Sequence, residues 1–203
     1  MAIARKLAYN VIFNSVLKVT STVVLSLLLV RLITGYLGQE GFGKYATVLA
    51  FFSFFAAISD LGLGPVTARE IAKDGSDEGK ILGNVVALRL VSSALLITIA
   101  PLVVLFFDYP VEVKWGIIIV ACASFFSSLS LVMNGVFQKR IAMDRVAMVE
   151  FIGKLIQVSL IACIVKFNLG FFPIVLSVLV ALAFNVTTVY LISRQFIRFS
   201  LRF

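Results

Sequence analysis

The sequence has no histidine, only two cysteines, and just 14% charged residues, so the commonest general base and the commonest metal ligand are both missing from its 203 residues. Cys122 and Cys163 each fall in an apolar run, with no second cysteine near either at metal-ligand spacing. This excludes a zinc site and argues against a disulfide. No catalytic constellation and no cofactor motif stands out, so the chain does not read as an enzyme. Polar sequence is scarce too: 61% of residues are hydrophobic and the mean hydropathy is +1.10. A soluble domain of this length cannot bury that much apolar surface. The solvent the sequence calls for is a bilayer.

Crossing about 30 Å of hydrocarbon takes roughly 20 apolar residues in a helix. The hydropathy predicts six such windows, at 11–34, 45–66, 82–107, 115–137, 147–165 and 171–193. Each outruns the roughly ten alternating residues of a barrel strand, and helices satisfy their own backbone in lipid, so the expected class is an all-α integral membrane protein. No repeat, low-complexity tract or soluble segment interrupts it, and residues 1–203 read as a single transmembrane domain. The first window follows a basic start as a secretory signal does. It is longer than a signal core, contains Lys18, and is followed by no clear cleavage site, so it is expected to be retained.

The formal charge of +8 comes from basic residues spread over loops rather than gathered on one face, which argues against nucleic acid. Topology accounts for it better. With the N-terminus inside, the inner segments hold eleven lysines and arginines (Arg5 and Lys6 through Arg194, Arg198 and Arg202), whereas the outer loops hold only Lys44, Lys114 and Lys166. By the positive-inside rule both termini of a six-helix chain are cytoplasmic. Gly35, Gly38, Gly41 and Gly43, then Pro110, then Gly170 and Pro173 mark the short outer turns. The longest and most charged loop, Val66 to Ile81, has a first half suited to a short amphipathic helix on the inner surface.

Six ionisable residues fall at membrane depth: Lys18, Arg31, Asp60, Arg89, Glu150 and Lys154. Each costs about 2.5–3.5 kcal/mol at a helix centre unless a partner or water shelters it. Lys18, Arg89 and Lys154 lie seven residues past the expected starts of helices one, three and five, so they share one depth. Each has polar company: Asn10, Asn14, Ser21 and Thr22 around Lys18; Ser92 and Ser93 beside Arg89; Glu150 and Gln157 flanking Lys154.

Two readings compete. In one, the three faces line an aqueous cleft whose cations receive a phosphate or pyrophosphate group, Lys18 being the best placed because no acid lies within a turn of it. In the other, Glu150 pairs with Lys154, and Asp60 with Arg89 or Lys18, only to hold the bundle together. Arg31, near the outer end of helix one, either extends to the interface or closes the cleft from outside. The run from Ser59 to Pro65, with two glycines and a proline beside an acid, is either a hinge or an ordinary helix end, and the latter is preferred.

The passage Arg31-Leu-Ile-Thr-Gly-Tyr-Leu-Gly-Gln-Glu-Gly-Phe-Gly-Lys-Tyr-Ala46 resembles the end of helix one and the first outer loop of polysaccharide flippases. The stretch Ser59-Asp-Leu-Gly-Leu-Gly-Pro-Val-Thr-Ala-Arg-Glu-Ile-Ala72 resembles the end of their second helix. The family is the O-antigen and exopolysaccharide flippase group of the multidrug, oligosaccharidyl-lipid and polysaccharide exporter superfamily. The resemblance implies a two-lobed bundle, alternating access, membrane lipids around it, and a polyprenyl-pyrophosphate-linked oligosaccharide as cargo, with Arg31 matching a cavity cation of related flippases. It implies a multi-pass protein of the cell membrane. Members usually carry about twice as many helices, so the likeness is to the N-terminal lobe, completed by a C-terminal lobe or by a second copy. A cation-coupled exporter using Asp60 or Glu150, or a non-transporting lobe with every charge paired, are the alternative functions.

Overall fold

The computed structural model describes residues 20–60, 62–73, 77–139 and 143–193, and every element among them is helical. A π-helical turn, Thr20–Leu25, leads into α1 (Ser26–Asp60), followed by α2 (Leu63–Ala72), α3 (Glu78–Leu105), α4 (Val111–Lys139), α5 (Met143–Lys166) and α6 (Phe171–Ser193). Lys18, most of its polar stripe and both termini lie outside the described residues.

α1 is two helices in one. Gly38 takes φ 70° and ψ −174°, a backbone that residues with a Cβ rarely adopt, and the helix breaks there. Side chains on both sides of the break reach turns at one end of the bundle. The Tyr36 hydroxyl donates to Asn168 Oδ1 at 2.7 Å and accepts from the Gly170 N–H at 2.9 Å, in the α5–α6 turn. Lys44 reaches Glu112, at the start of α4, at 3.0 Å. From this end the second arm runs back into the bundle until Asp60 meets Arg89.

Gly62, in the left-handed conformation with φ 72°, ends α1 at Asp60 and starts a separate short helix. The second window, expected to run to 66, is therefore cut short. The short helix expected in the first half of the following loop is present as α2 and begins earlier, at Leu63. Asp77 caps α3 by accepting from the Lys80 N–H at 3.1 Å. The other helices match the hydropathy windows but extend past them at one or both ends, α6 excepted. Glu112 and Asp144 sit in the first turns of α4 and α5, where acids offset the positive helix end, so a polar residue outside the apolar window still belongs to the helix.

α4 is the hub, packing on α6, the second arm of α1, α3 and α2. Toward the Gly38 end the core is built from Ile33, Val48, Ile117, Ile161 and Ile174, and toward the other from Ile71, Leu82, Val132, Phe137 and Val189. The perimeter is as apolar as the core. α3 is hydrophobic all round, yet Val91, Leu95 and Leu102 on it are each more than half exposed. A helix of that kind without a protein covering needs lipid against it. Among the described residues, five stretches are long and apolar enough to cross a membrane, the first of them, Val23–Ile71, containing the break at Gly38. The chain is a multi-pass membrane protein.

Candidate functional site

The polar stripe on α5 faces inward. Glu150, Lys154 and Gln157, spaced four and three apart, share one helix face and form one wall of an open cavity of about 310 Å³. The second arm of α1 supplies another wall, with Tyr45, Leu49, Phe52 and Ser53. α6 supplies the third, with Ala181, Leu182 and Asn185 among its residues. All three walls repeat at helical spacing, so the cavity runs along the helices rather than across them.

Three of its polar groups, on Lys154, Gln157 and Asn185, are uncommitted among the described residues. Lys154 is half-buried and forms no ion pair or hydrogen bond with a described residue, Glu150 included. Gln157 is 7% exposed, and its amide meets no described partner. Asn185 Oδ1 is buried without a partner among the described residues. It lies against Gly153, where a Cβ would stand 2.0 Å from it. Only glycine lets the α6 amide come this close to α5.

Arg89 is differently placed. It is fully buried, with Nη2 donating to Asp60 Oδ1 at 2.6 Å and Nη1 to the Ser128 carbonyl at 2.8 Å. Arg89 lies eleven residues after Glu78, and Lys154 eleven after Met143, so they stand equally far along their helices. They do not share a compartment. α3 packs on α4 rather than on α5, so Arg89 joins α3 to α4 and to the end of α1, and it is absent from the cavity wall. Of the anticipated pairs, Asp60 with Arg89 forms and Glu150 with Lys154 does not.

Arg31 is exposed and lines a separate cleft between the first arm of α1 and α5, together with Gly35, Tyr36, Val158 and Val165. The cleft measures about 500 Å³. The single passage expected to unite Lys18, Arg89 and Lys154 is thus represented, among the described residues, by Lys154 alone. Nor do the described residues include any group of three or more cysteines and carboxylates able to hold a metal ion.

Sequence reasoning passed over Tyr45, Gly153 and Asn185. Asn185 had a usable signal: it is an amide in an otherwise apolar membrane helix, where such side chains face other helices. Gly153 had only its place beside Lys154.

A family model described as "Polysaccharide biosynthesis protein" matches residues 7–203. No curated protein and no solved structure matches the chain.

Proposed function

The chain belongs to the polysaccharide biosynthesis protein family, and from that membership we propose that it moves a lipid-linked oligosaccharide across the cell membrane, by way of the cavity between α1, α5 and α6. In this reading the two arms of α1 each cross the bilayer, giving six crossings with both termini cytoplasmic. The whole chain then serves as one transmembrane domain, equivalent to one lobe of a two-lobed flippase. A second copy or a further lobe completes the passage.

The observation that carries the reading is Lys154. A cation half-buried in a membrane bundle with no described counter-ion is costly to keep, and an anionic ligand offsets that cost when it arrives. A pyrophosphate joined to a polyprenyl chain is an anion that enters from within the membrane, and an ammonium on a flexible stem can follow it as it moves. Arg89, already neutralised by Asp60, is held as a bundle strut.

The test is flipping in vesicles. The full chain, reconstituted and supplied with a fluorescent polyprenyl-pyrophosphate oligosaccharide, should move label between leaflets faster than protein-free vesicles. Lys154→Met should cut that rate by at least about tenfold, the effect of roughly 1.4 kcal/mol, while Lys154→Arg retains part of it. Equal rates with and without protein would sink the proposal.

A further inference from the structure

α3 and α6 both pack along α4 but scarcely touch each other. Between them runs an apolar groove of about 360 Å³, floored by Leu129 and Met133 of α4 and walled by Val86 of α3 and by Val186, Thr187 and Tyr190 of α6. Gly83, buried and without a side chain, widens it on the α3 side, and it opens outward past Thr187 and Tyr190, both exposed.

This groove is separate from the cavity around Lys154. On α6 the cavity takes Ala181, Leu182 and Asn185, whereas Val186, Thr187 and Tyr190 lie roughly a third of a turn further round. Its depth is that of lipid chains. Gly83 is five residues past Glu78 and Tyr190 three before Ser193, about 5–8 Å from the helix ends remote from Gly38, and Leu129, ten before Lys139, is about 15 Å in. The polar zone takes about 5–7 Å of each bilayer face, so the groove begins where the hydrocarbon of that leaflet begins. A concave apolar surface touches a chain on three sides, whereas the convex exposed face of α3 at Val91 and Leu95 touches it on one.

The mouth carries charge of both signs. Lys80, exposed, precedes Gly83 by three residues and so stands on the same side of α3, and its ammonium forms no ion pair with a described residue. Asp77, also exposed, uses Oδ1 to cap the helix at the Lys80 N–H and keeps its negative charge at the same mouth. A purely anionic head group would meet Asp77 and Glu78 against Lys80 alone in this turn. A phosphate joined to a primary ammonium answers both signs.

We infer that the groove binds one phospholipid of this leaflet, phosphatidylethanolamine, with an acyl chain between α3 and α6, its phosphate at Lys80 and its ammonium at Asp77. The inference does not depend on what Lys154 binds. Seated there, the lipid supplies the contact between α3 and α6 that the protein itself lacks.

Native mass spectrometry of the full chain, released from nanodiscs holding equal parts of phosphatidylethanolamine, phosphatidylcholine and phosphatidylglycerol, reads the retained lipid directly. Phosphatidylethanolamine should be retained about threefold to fivefold over either of the others, the preference that one or two exposed ion pairs supply. Asp77→Asn keeps a good helix cap and should abolish the preference over phosphatidylcholine. Thr187→Phe and Val86→Phe each fill the groove from a different helix and should cut retention at least about tenfold, so one that fails to fold leaves the other to decide. Equal retention of the three lipids by the unaltered chain, or undiminished retention in the groove variants, overturns the inference. Displacement of the phospholipid by an equal amount of added polyprenyl phosphate overturns it too, and assigns the groove to that chain instead.

Discussion

Arg89 on α3 donates to Asp60 at the end of α1 across 2.6 Å, with the cation fully buried and the acid's side chain 29% exposed. The two partners are therefore unequal in what their loss would do. Removing Arg89 leaves an acid with some access to polar surroundings, whereas removing Asp60 leaves a guanidinium sealed in the bundle with only the Ser128 carbonyl for company.

Asp60→Ala should accordingly destabilise the protein toward the lower end of about 3–5 kcal/mol, the range for breaking a buried pair from one side. Arg89→Leu should cost less, and the double variant Asp60→Leu, Arg89→Leu should recover most of the single-variant loss, because a packed apolar pair replaces a desolvated one. Thermal unfolding in detergent reads all three. Additive losses in the double variant would show that the two residues are not coupled.

Tyr36 ties the first arm of α1 to the α5–α6 turn through two hydrogen bonds, one to Asn168, whose φ of 54° is itself unusual for a residue other than glycine. Tyr36→Phe keeps the ring and removes both bonds. The expected cost is about 1–3 kcal/mol, concentrated at this turn. Hydrogen exchange should quicken at the Gly170 amide and stay unchanged in α4. Unchanged protection at Gly170 would mean that the turn holds without Tyr36.

The helices were legible in the sequence because lipid demands long apolar windows, and α3 to α6 lie where hydropathy put them. The break at Gly62 was less so. The glycines and proline beside Asp60 marked a helix end, but hydropathy ran on through Leu61 and Leu63 and concealed that a new helix begins within two residues. Partner choice was the least legible. Arg89 and Lys154 have the same helical offset and similar polar neighbours, and only packing decides that one meets Asp60 while the other meets a cavity. Asn185 could be read as inward-facing, but its seat on Gly153 depends on how closely α5 approaches α6, which no single helix encodes.

The orientation proposed from the positive-inside rule is open to direct test. With Cys122 and Cys163 replaced by alanine, a membrane-impermeant maleimide applied to intact cells should label Asp108→Cys and Leu169→Cys, both exposed at the Gly38 end. Arg69→Cys on α2, exposed toward the other end, should react only after permeabilisation. The reverse pattern would invert the chain and place the basic loops outside.

Gly153 and Asn185 make the most exacting prediction, because the site's width depends on both. A methyl group at 153 would fall 2.0 Å from Asn185 Oδ1 and 2.7 Å from its Cγ, too close for the Asn185 amide to keep its place. Gly153→Ala should therefore destabilise the protein by about 1–3 kcal/mol, the usual cost of overpacking, and impair flipping through the distorted cavity. Asn185→Ala in the same chain removes the obstructing amide, so the double variant should regain stability, which distinguishes a steric cause from a general intolerance of the position. It should not regain full transport, because the cavity has then lost one of its polar walls. Thermal unfolding and vesicle flipping measured on the same preparations separate the two effects. Recovery of neither quantity would show that Gly153 is required for a reason other than its contact with Asn185.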